Sequence, residues 1–187
     1  QAMALDISQA TNAARSKTIT KACLKNEEFK DCDVVVITAG IARKPGMSRD
    51  DLLLTNAKIM TSVINDILPN NKNAIFIIVS NPLDVMVYTA LKASNLPRNK
   101  VIGMAGILDS ARMSHFIFEK IGYGQGQIEA SVMGGHGDDM VPLADFSTVA
   151  GVKLDELLSK EDVDDIVNKT KNGGAQIVKL LETGSAY

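Results

Sequence analysis

The sequence has no tryptophan and few other aromatic residues, and this scarcity narrows the classes of function. Aromatic residues account for 4% of the 187 positions. Proteins that bind single-stranded nucleic acid stack the bases on aromatic side chains and hold the phosphates with basic clusters. Because the net charge is −2 and no strongly basic block is present, we expect no nucleic-acid partner.

Cysteine is also scarce, and the two cysteines stand in no metal-binding pattern. Cys23 and Cys32 have neither CxxC nor zinc-site spacing, which is typical of a protein from a reducing compartment. We therefore expect a cytoplasmic protein without a bound metal, in which Cys32 is a small packed residue. No apolar run approaches the roughly 18 residues that cross a membrane, so we expect no membrane partner.

Short apolar runs alternate with helical patterns through the first half of the chain. Asp33–Gly40, Ala74–Ser80 and Lys100–Gly103 are rich in β-branched and apolar residues, whereas Asp50–Leu68 and Leu83–Ser94 have helical spacing. Strands that are apolar on both faces belong to parallel sheets covered by helices. This β-α-β-α-β order predicts an α/β fold with a doubly wound parallel sheet.

The pattern changes after about residue 105. Ile128–Gly137 and Val141–Val149 indicate hairpin strands, and Leu154–Glu182 indicates a helical stretch interrupted at Gly173–Gly174. Glycines at 122, 124 and 126 have the wrong spacing for a phosphate-binding loop and predict a turn. We expect residues 1–104 to belong to one domain and residues 105–187 to a second, α+β domain.

Four polar motifs could carry chemistry. His136 lies between glycines after an apolar strand, where a ligand could approach the imidazole closely, although a lone histidine is more often structural. Asp109 and Arg112 share one helix face. On spacing alone, a surface ion pair without a function is the favoured interpretation. Asn81 follows a strand and precedes a proline, which suits either a ligand contact or a simple turn.

The fourth motif is the loop of residues 42–51, which has no helical or strand period. It carries Arg43 and Arg49 around a central Pro-Gly pair. Directly after a parallel strand, such a loop could be a lid that presents two guanidinium groups to carboxylates. A solvated polar loop is an equally good interpretation of the spacing alone.

Taken in order, the motifs TAGIARKPGMSRDDLLLTN, VSNPLDVM, GMAGILDSARM and MGGHGDDMVPL resemble the lactate/malate dehydrogenase family, in its lactate-dehydrogenase-like branch that oxidises malate. The resemblance implies a partial Rossmann-type sheet, the C-terminal portion of an NAD-binding domain, followed by the N-terminal portion of an α+β substrate domain. It implies reversible oxidation of (S)-malate to oxaloacetate with NAD, a reaction of the tricarboxylic acid cycle, by a homodimer or homotetramer.

The resemblance also assigns roles to individual residues. His136 would transfer the hydroxyl proton, with Asp109 bound to its other ring nitrogen. Arg112 would grip the carboxylate beside the reacting carbon, and Arg49 would polarise the carbonyl. Arg43 would bind the distal carboxylate of the dicarboxylate substrate.

Apart from Asn56, which lies in the predicted helix Asp50–Leu68, the family's cofactor contacts fall on residues near the ends of the first two predicted strands. Asn56, Val79, Ser80 and Asn81 would lie at the nicotinamide half of NAD, with Ala39 and Gly40 beside the pyrophosphate and ribose. Asn81 would also contact the substrate.

Two alternatives remain open at this point. A lactate or broader 2-hydroxyacid dehydrogenase would share most of these residues. A non-catalytic fragment or binding module is the other, because the family's first strand, its GxGxxG turn and the acidic residue that distinguishes NAD from NADP would all precede Gln1. We therefore expect the chain to be an internal portion of the enzyme, and without the remainder to be inactive.

Overall fold

The computed structural model describes residues 1–42 and 48–182. Six α-helices lie in these ranges, namely α1 (Ala2–Ala13), α2 (Arg49–Ile67), α3 (Leu83–Ser94), α4 (Gly106–Ile121), α5 (Leu154–Leu157) and α6 (Lys160–Leu181). The eight strands of the same ranges are β1 (Val34–Ile37), β2 (Ile75–Ile78), β3 (Val101–Gly103), β4 (Ile128–Glu129), β5 (Val132–Gly134), β6 (Met140–Pro142), β7 (Thr148–Val149) and β8 (Val152–Lys153).

A parallel three-stranded sheet organises the first half. Its order is β1-β2-β3, and the helices α2 and α3 connect consecutive strands and pack against each other. The predicted series of three strands and two helices is confirmed, with strands a few residues shorter than expected. Parallel strands need such helical crossovers because the end of one strand and the start of the next lie at opposite edges of the sheet.

The helices bury one face of this sheet more completely than the other. Val35, Ile37 and Phe76 are fully buried in the core below α2 and α3, whereas Val34 and Val36 on the opposite face are 48% and 57% exposed. The expectation of strands covered on both faces is thus not met by the described residues at β1. Cys32 packs at the margin of the core, as predicted.

The start of α2 is fixed by a capping box directly after the undescribed residues 43–47. The Ser48 hydroxyl accepts a hydrogen bond from the Asp51 backbone N–H at 3.0 Å, and the Asp51 carboxylate accepts one from the Ser48 N–H at 3.1 Å. These bonds satisfy donors that a helix otherwise leaves free at its N-terminus. Hydrogen bonding to Ser48 also lowers the pKa of Asp51 from its usual value of 3.8.

The second half has its own core between α4, α6 and short antiparallel strands. β5 and β6 form a hairpin, while β4, β7 and β8 form a separate three-stranded sheet. The hairpin prediction is confirmed. Glycines 122 and 124 have φ of +81° and +77° in the turn that follows α4, so the predicted turn is confirmed as well.

The predicted interruption at Gly173–Gly174 is wrong, because α6 continues through both glycines. The break lies earlier, at Leu158, where the backbone is extended before Ser159 caps α6. Two glycines in a helix interior cost about 1 kcal/mol each in propensity. Packing of α6 on α4 stabilises the helix against that cost, since tertiary packing outweighs intrinsic propensity for most helices in proteins.

Candidate active site

The carboxyl ends of β1 and β2 bring two of the predicted ligand-binding segments together. The Val79 N–H donates to the Ile37 carbonyl at 2.9 Å, and the buried Ser80 hydroxyl donates to the Ala39 carbonyl at 2.6 Å. Asn81 is exposed just beyond this junction. Ligands of open α/β sheets bind at this edge, and the predicted cofactor-binding segments Ala39–Gly40 and Val79–Asn81 lie at it.

Asn56 lies beneath the same edge and is only 1% exposed. Its side-chain oxygen accepts from the Ile41 N–H at 2.8 Å, and its amide nitrogen donates to the carbonyls of Ile41 and Asn81 at 3.2 and 2.8 Å. The Asn56 amide thereby connects Ile41, just before the loop of residues 42–51, to the turn at Asn81. This buried position indicates that Asn56 would act on a ligand chiefly by holding these two backbone segments.

A buried carboxylate connects the remaining predicted site residues. Asp109, in the first turn of α4, is 2% exposed. Its Oδ1 accepts from Arg112 Nη1 at 3.0 Å, and its Oδ2 lies 2.8 Å from His136 Nδ1. The interpretation of Asp109 and Arg112 as an exposed surface pair is therefore wrong. The buried Asp109 carboxylate joins the partly buried Arg112 and His136 side chains in one network.

The contact with Asp109 determines which nitrogen of His136 can act as a base. An ionised carboxylate only accepts hydrogen bonds, so Nδ1 must carry a proton to donate to it. In the neutral ring, Nε2 then keeps the lone pair and can take a proton from a substrate hydroxyl.

Glycines of the hairpin bring His136 to this position. Gly134, the last residue of β5, has φ of +83°, and a Cβ built on it would lie 2.4 Å from the Asp139 carbonyl oxygen. Only glycine tolerates that approach and that backbone conformation. The turn from β5 to β6 is tight for this reason, and it projects His136 toward α4.

His136 and Asp109 line a cavity of about 240 Å³ between the two halves of the chain. Its other walls come from the start of α3, the end of β3, the start of α4 and the end of β5, including Asp84, Val87, Ala105, Met133 and four glycines. The cavity therefore lies beside the carboxyl ends of the sheet strands and next to the imidazole. That is the position where a substrate and the reactive end of a cofactor could meet.

The two predicted substrate-binding arginines of the loop, Arg43 and Arg49, are not among the side chains described at this site. Arg43 lies outside the described residues. Arg49 is the first residue of α2. Their roles stay predictions that rest on the motif.

Sequence reasoning missed one residue of the site. The Asp84 carboxylate, in the first turn of α3, accepts a hydrogen bond from the His136 backbone N–H at 3.0 Å. Asp84 is the aspartate of the VSNPLDVM motif, so its position was visible in the sequence. Its contact was not, because its partner is 52 residues away.

Neither a metal site nor a membrane span is found in the part of the chain that the structure describes. Within residues 1–42 and 48–182, no group of three or more His, Cys, Asp or Glu side chains is arranged to hold a metal ion. None of the helices described there is long and apolar enough to cross a bilayer.

Nearly the whole chain matches two family models in succession. The model described as lactate/malate dehydrogenase, NAD binding domain, matches residues 1–103, and the alpha/beta C-terminal domain of the same family matches residues 107–187. The chain belongs to the lactate/malate dehydrogenase family. The predicted fold class was an α/β fold with a partial Rossmann-type parallel sheet followed by part of an α+β domain. It is confirmed by the match to an NAD-binding domain and an alpha/beta C-terminal domain.

Relatives within the family include enzymes named for either substrate. The chain is 72% identical over all 187 residues to a malate dehydrogenase of Aliarcobacter butzleri and covers 60% of that protein. The malate dehydrogenase structure from Aeropyrum pernix superposes with a TM-score of 0.89 at 40% identity, with 100% of this chain and 61% of that chain covered.

A lactate dehydrogenase structure from Cryptosporidium parvum, in complex with lactic acid and NAD, superposes equally well. Its TM-score is 0.89 at 39% identity, and the match covers 100% of this chain and 61% of that one. The fold alone therefore does not separate the two activities. The chain spans about three fifths of the length of the curated relatives it matches.

Proposed function

We propose that the protein catalyses the reversible NAD-dependent oxidation of (S)-malate to oxaloacetate. The observation that carries this proposal is that the buried Asp109 carboxylate contacts both His136 and Arg112, at a cavity that Asp109 and His136 line. It unites a proton-transfer group and a carboxylate-binding group in one place. The name of the Aliarcobacter butzleri relative supports the choice of malate.

In the proposed mechanism, His136 takes the hydroxyl proton of malate on Nε2 and returns it in the reverse direction. NAD, when bound, supplies the acceptor for the hydride that leaves the same carbon. Asp109 holds the imidazole in the required tautomer and stabilises the imidazolium that forms, in the manner of a carboxylate that orients a general base. Arg112 binds the carboxylate next to the reacting carbon in a forked, two-point contact.

We propose that the cofactor binds at the sheet edge where the segments Ala39–Gly40 and Val79–Asn81 meet, with Gly40 and Asn81 exposed there. Backbone groups at the carboxyl ends of β1 and β2 are close together there, and they suit a dinucleotide, which parallel sheets bind at this edge. Asn56 supports the same surface from below, and Asn81 would contact both cofactor and substrate. Residues 1–104 would then serve cofactor binding and residues 105–187 substrate binding.

We propose that Arg43, from the loop, and Arg49, at the start of α2, complete the substrate site. Arg49 would polarise the reacting carbonyl, and Arg43 would pair with the distal carboxylate of the dicarboxylate. A closed loop excludes water, so Arg43 without an anion would be an unpaired buried charge. Such a charge costs about 3–5 kcal/mol, and about 1.4 kcal/mol corresponds to a factor of ten. Pyruvate should therefore be disfavoured by at least about a hundredfold.

The test is a comparison of two keto acids with NADH, using the full-length gene product. We expect kcat/KM for oxaloacetate to exceed that for pyruvate by at least about a hundredfold, the ratio set by an unpaired buried arginine. Equal values would contradict the assignment to malate, and a preference for pyruvate would favour a lactate dehydrogenase. We further propose a cytoplasmic homo-oligomer, and sedimentation of the same preparation would test its oligomeric state.

A further inference from the structure

We propose that Asp84 is a positioning residue that holds the His136 backbone in place for proton transfer, an inference that rests on the proposed function. The Asp84 Oδ2 atom accepts the His136 N–H at 3.0 Å. His136 is thus held at two points by two carboxylates. Asp109 contacts the ring, and Asp84 contacts the backbone from which the ring extends.

The turn that carries His136 makes this second contact important. Two further backbone hydrogen bonds are internal to the turn, since the Gly135 N–H donates to the Asp139 carbonyl and the Met140 N–H to the Gly137 carbonyl. Both of them close the turn upon itself. The Asp84 contact instead ties the backbone of the turn to α3, which lines the same cavity.

Gly135 has no side chain, and this lets the Asp84 carboxylate approach the backbone closely. A Cβ built on Gly135 would lie 3.3 Å from Asp84 Oδ2, closer than most side chains tolerate. The second glycine of the GGHG motif thus leaves room for this carboxylate, as the first leaves room for the Asp139 carbonyl. The motif and Asp84 fit each other sterically.

The position of Asp84 in the chain links the two ligand sites. It follows the Asn81 turn by three residues and lies at the second position of α3. The backbone that would present Asn81 to cofactor and substrate is therefore continuous with the group that holds His136. A shift of that turn would reach the histidine through a single hydrogen bond.

The experiment compares Asp84→Ala and Asp84→Asn with Glu161→Ala in the full-length gene product. Glu161 is a matched control, because it is an exposed acidic residue at the second position of α6. Backbone ¹H–¹⁵N spectra of protein labelled with ¹⁵N-histidine report the contact directly. The His136 signal is identified by its loss in the His136→Asn variant.

We expect Asp84→Ala to move the His136 amide proton upfield and to lower kcat by about ten- to a hundredfold, since a misplacement of about 1 Å costs up to about a hundredfold. The Kd for NADH, measured by fluorescence, should not change. Asp84→Asn keeps an acceptor oxygen and should restore most of the amide shift and most of kcat. Glu161→Ala should alter neither quantity.

The proposal is contradicted if Asp84→Ala leaves the His136 amide signal and kcat unchanged. It is also contradicted if Asp84→Asn is as impaired as Asp84→Ala and both weaken NADH binding, because Asp84 would then only maintain the fold of the turn. A wild type that binds NADH without reducing oxaloacetate would contradict the proposed function. The amide shift would still decide whether Asp84 holds His136, so the two failures are distinguishable.

Discussion

An alanine at Gly173 or at Gly174 in α6 adds the same methyl group, but we expect the two changes to affect stability and activity differently. Gly173 faces α4, and a Cβ built on it would lie 3.3 Å from the Cδ atom of Arg112 and 3.7 Å from the Phe116 ring. Gly174 is one residue further on, and its Cβ would lie 3.7 Å from the two terminal nitrogens of Arg112. The first distance is tight, whereas the second is an ordinary contact.

Gly173→Ala combines two opposed effects. Replacing an interior helical glycine by alanine favours the helix by about 1 kcal/mol, whereas adding a methyl group to a packed site costs roughly 1–3 kcal/mol. We therefore expect the free energy of unfolding to change little. Arg112 must move by a few tenths of an ångström, and because a shift of about 1 Å in a positioned group costs up to about a hundredfold, kcat/KM should fall roughly three- to tenfold.

Steady-state kinetics with oxaloacetate and thermal unfolding of Gly173→Ala and Gly174→Ala test this reasoning. The Gly174 variant should retain wild-type kinetics and gain stability. If Gly173→Ala also gained about 1 kcal/mol with unchanged kcat/KM, the contact with Arg112 would not constrain the arginine. Equal losses in both variants would show that general disturbance of α6, and not this contact, reduces activity.

Three further changes test other parts of the structure. Arg43→Gln should lower oxaloacetate turnover by about a hundredfold and pyruvate turnover far less; equal losses would show that Arg43 does not select the substrate. Asp109→Ala removes the carboxylate that Arg112 Nη1 and His136 Nδ1 contact and should remove most of kcat, because the imidazole loses the group that fixes its tautomer; wild-type turnover would contradict that role. Hydrogen bonding to Ser48 lowers the pKa of Asp51. The Ser48–Asp51 interaction therefore stabilises the folded state above pH 3.8, and this stabilisation is lost as the pH falls through the lowered pKa. The stability difference between wild type and Ser48→Ala should shrink over that range, and a constant difference would contradict the capping role.

Local sequence patterns were sufficient to predict most of the fold in the first half. The β-branched runs around Val35 and Phe76 and the helix Leu83–Ser94 lie where the pattern placed them. The pattern failed at Gly173–Gly174, because helix propensity does not include the packing of α6 on α4. It also gave no sign that β1 would expose Val34 and Val36, since burial of an outer face depends on what lies above it.

The site could be predicted residue by residue only through the family motif. Spacing alone allowed Asp109 and Arg112 to be an exposed pair, whereas burial and the His136 contact make them part of one network. Asp84 could not be predicted in its role, because a hydrogen bond across 52 residues leaves no periodic signal. Asn56 likewise showed its clamping contacts only once Ile41 and Asn81 were brought together.

The most direct test of His136 as the acid/base residue is the rate of NADH oxidation by oxaloacetate in His136→Asn, measured beside the affinity for NADH. We expect turnover to be abolished, because asparagine cannot take up and return a proton at this position. NADH should bind with nearly wild-type affinity, since the proposed cofactor contacts lie at the ends of β1 and β2. Retained turnover in His136→Asn would contradict the proposed mechanism, because proton transfer would then not depend on this imidazole.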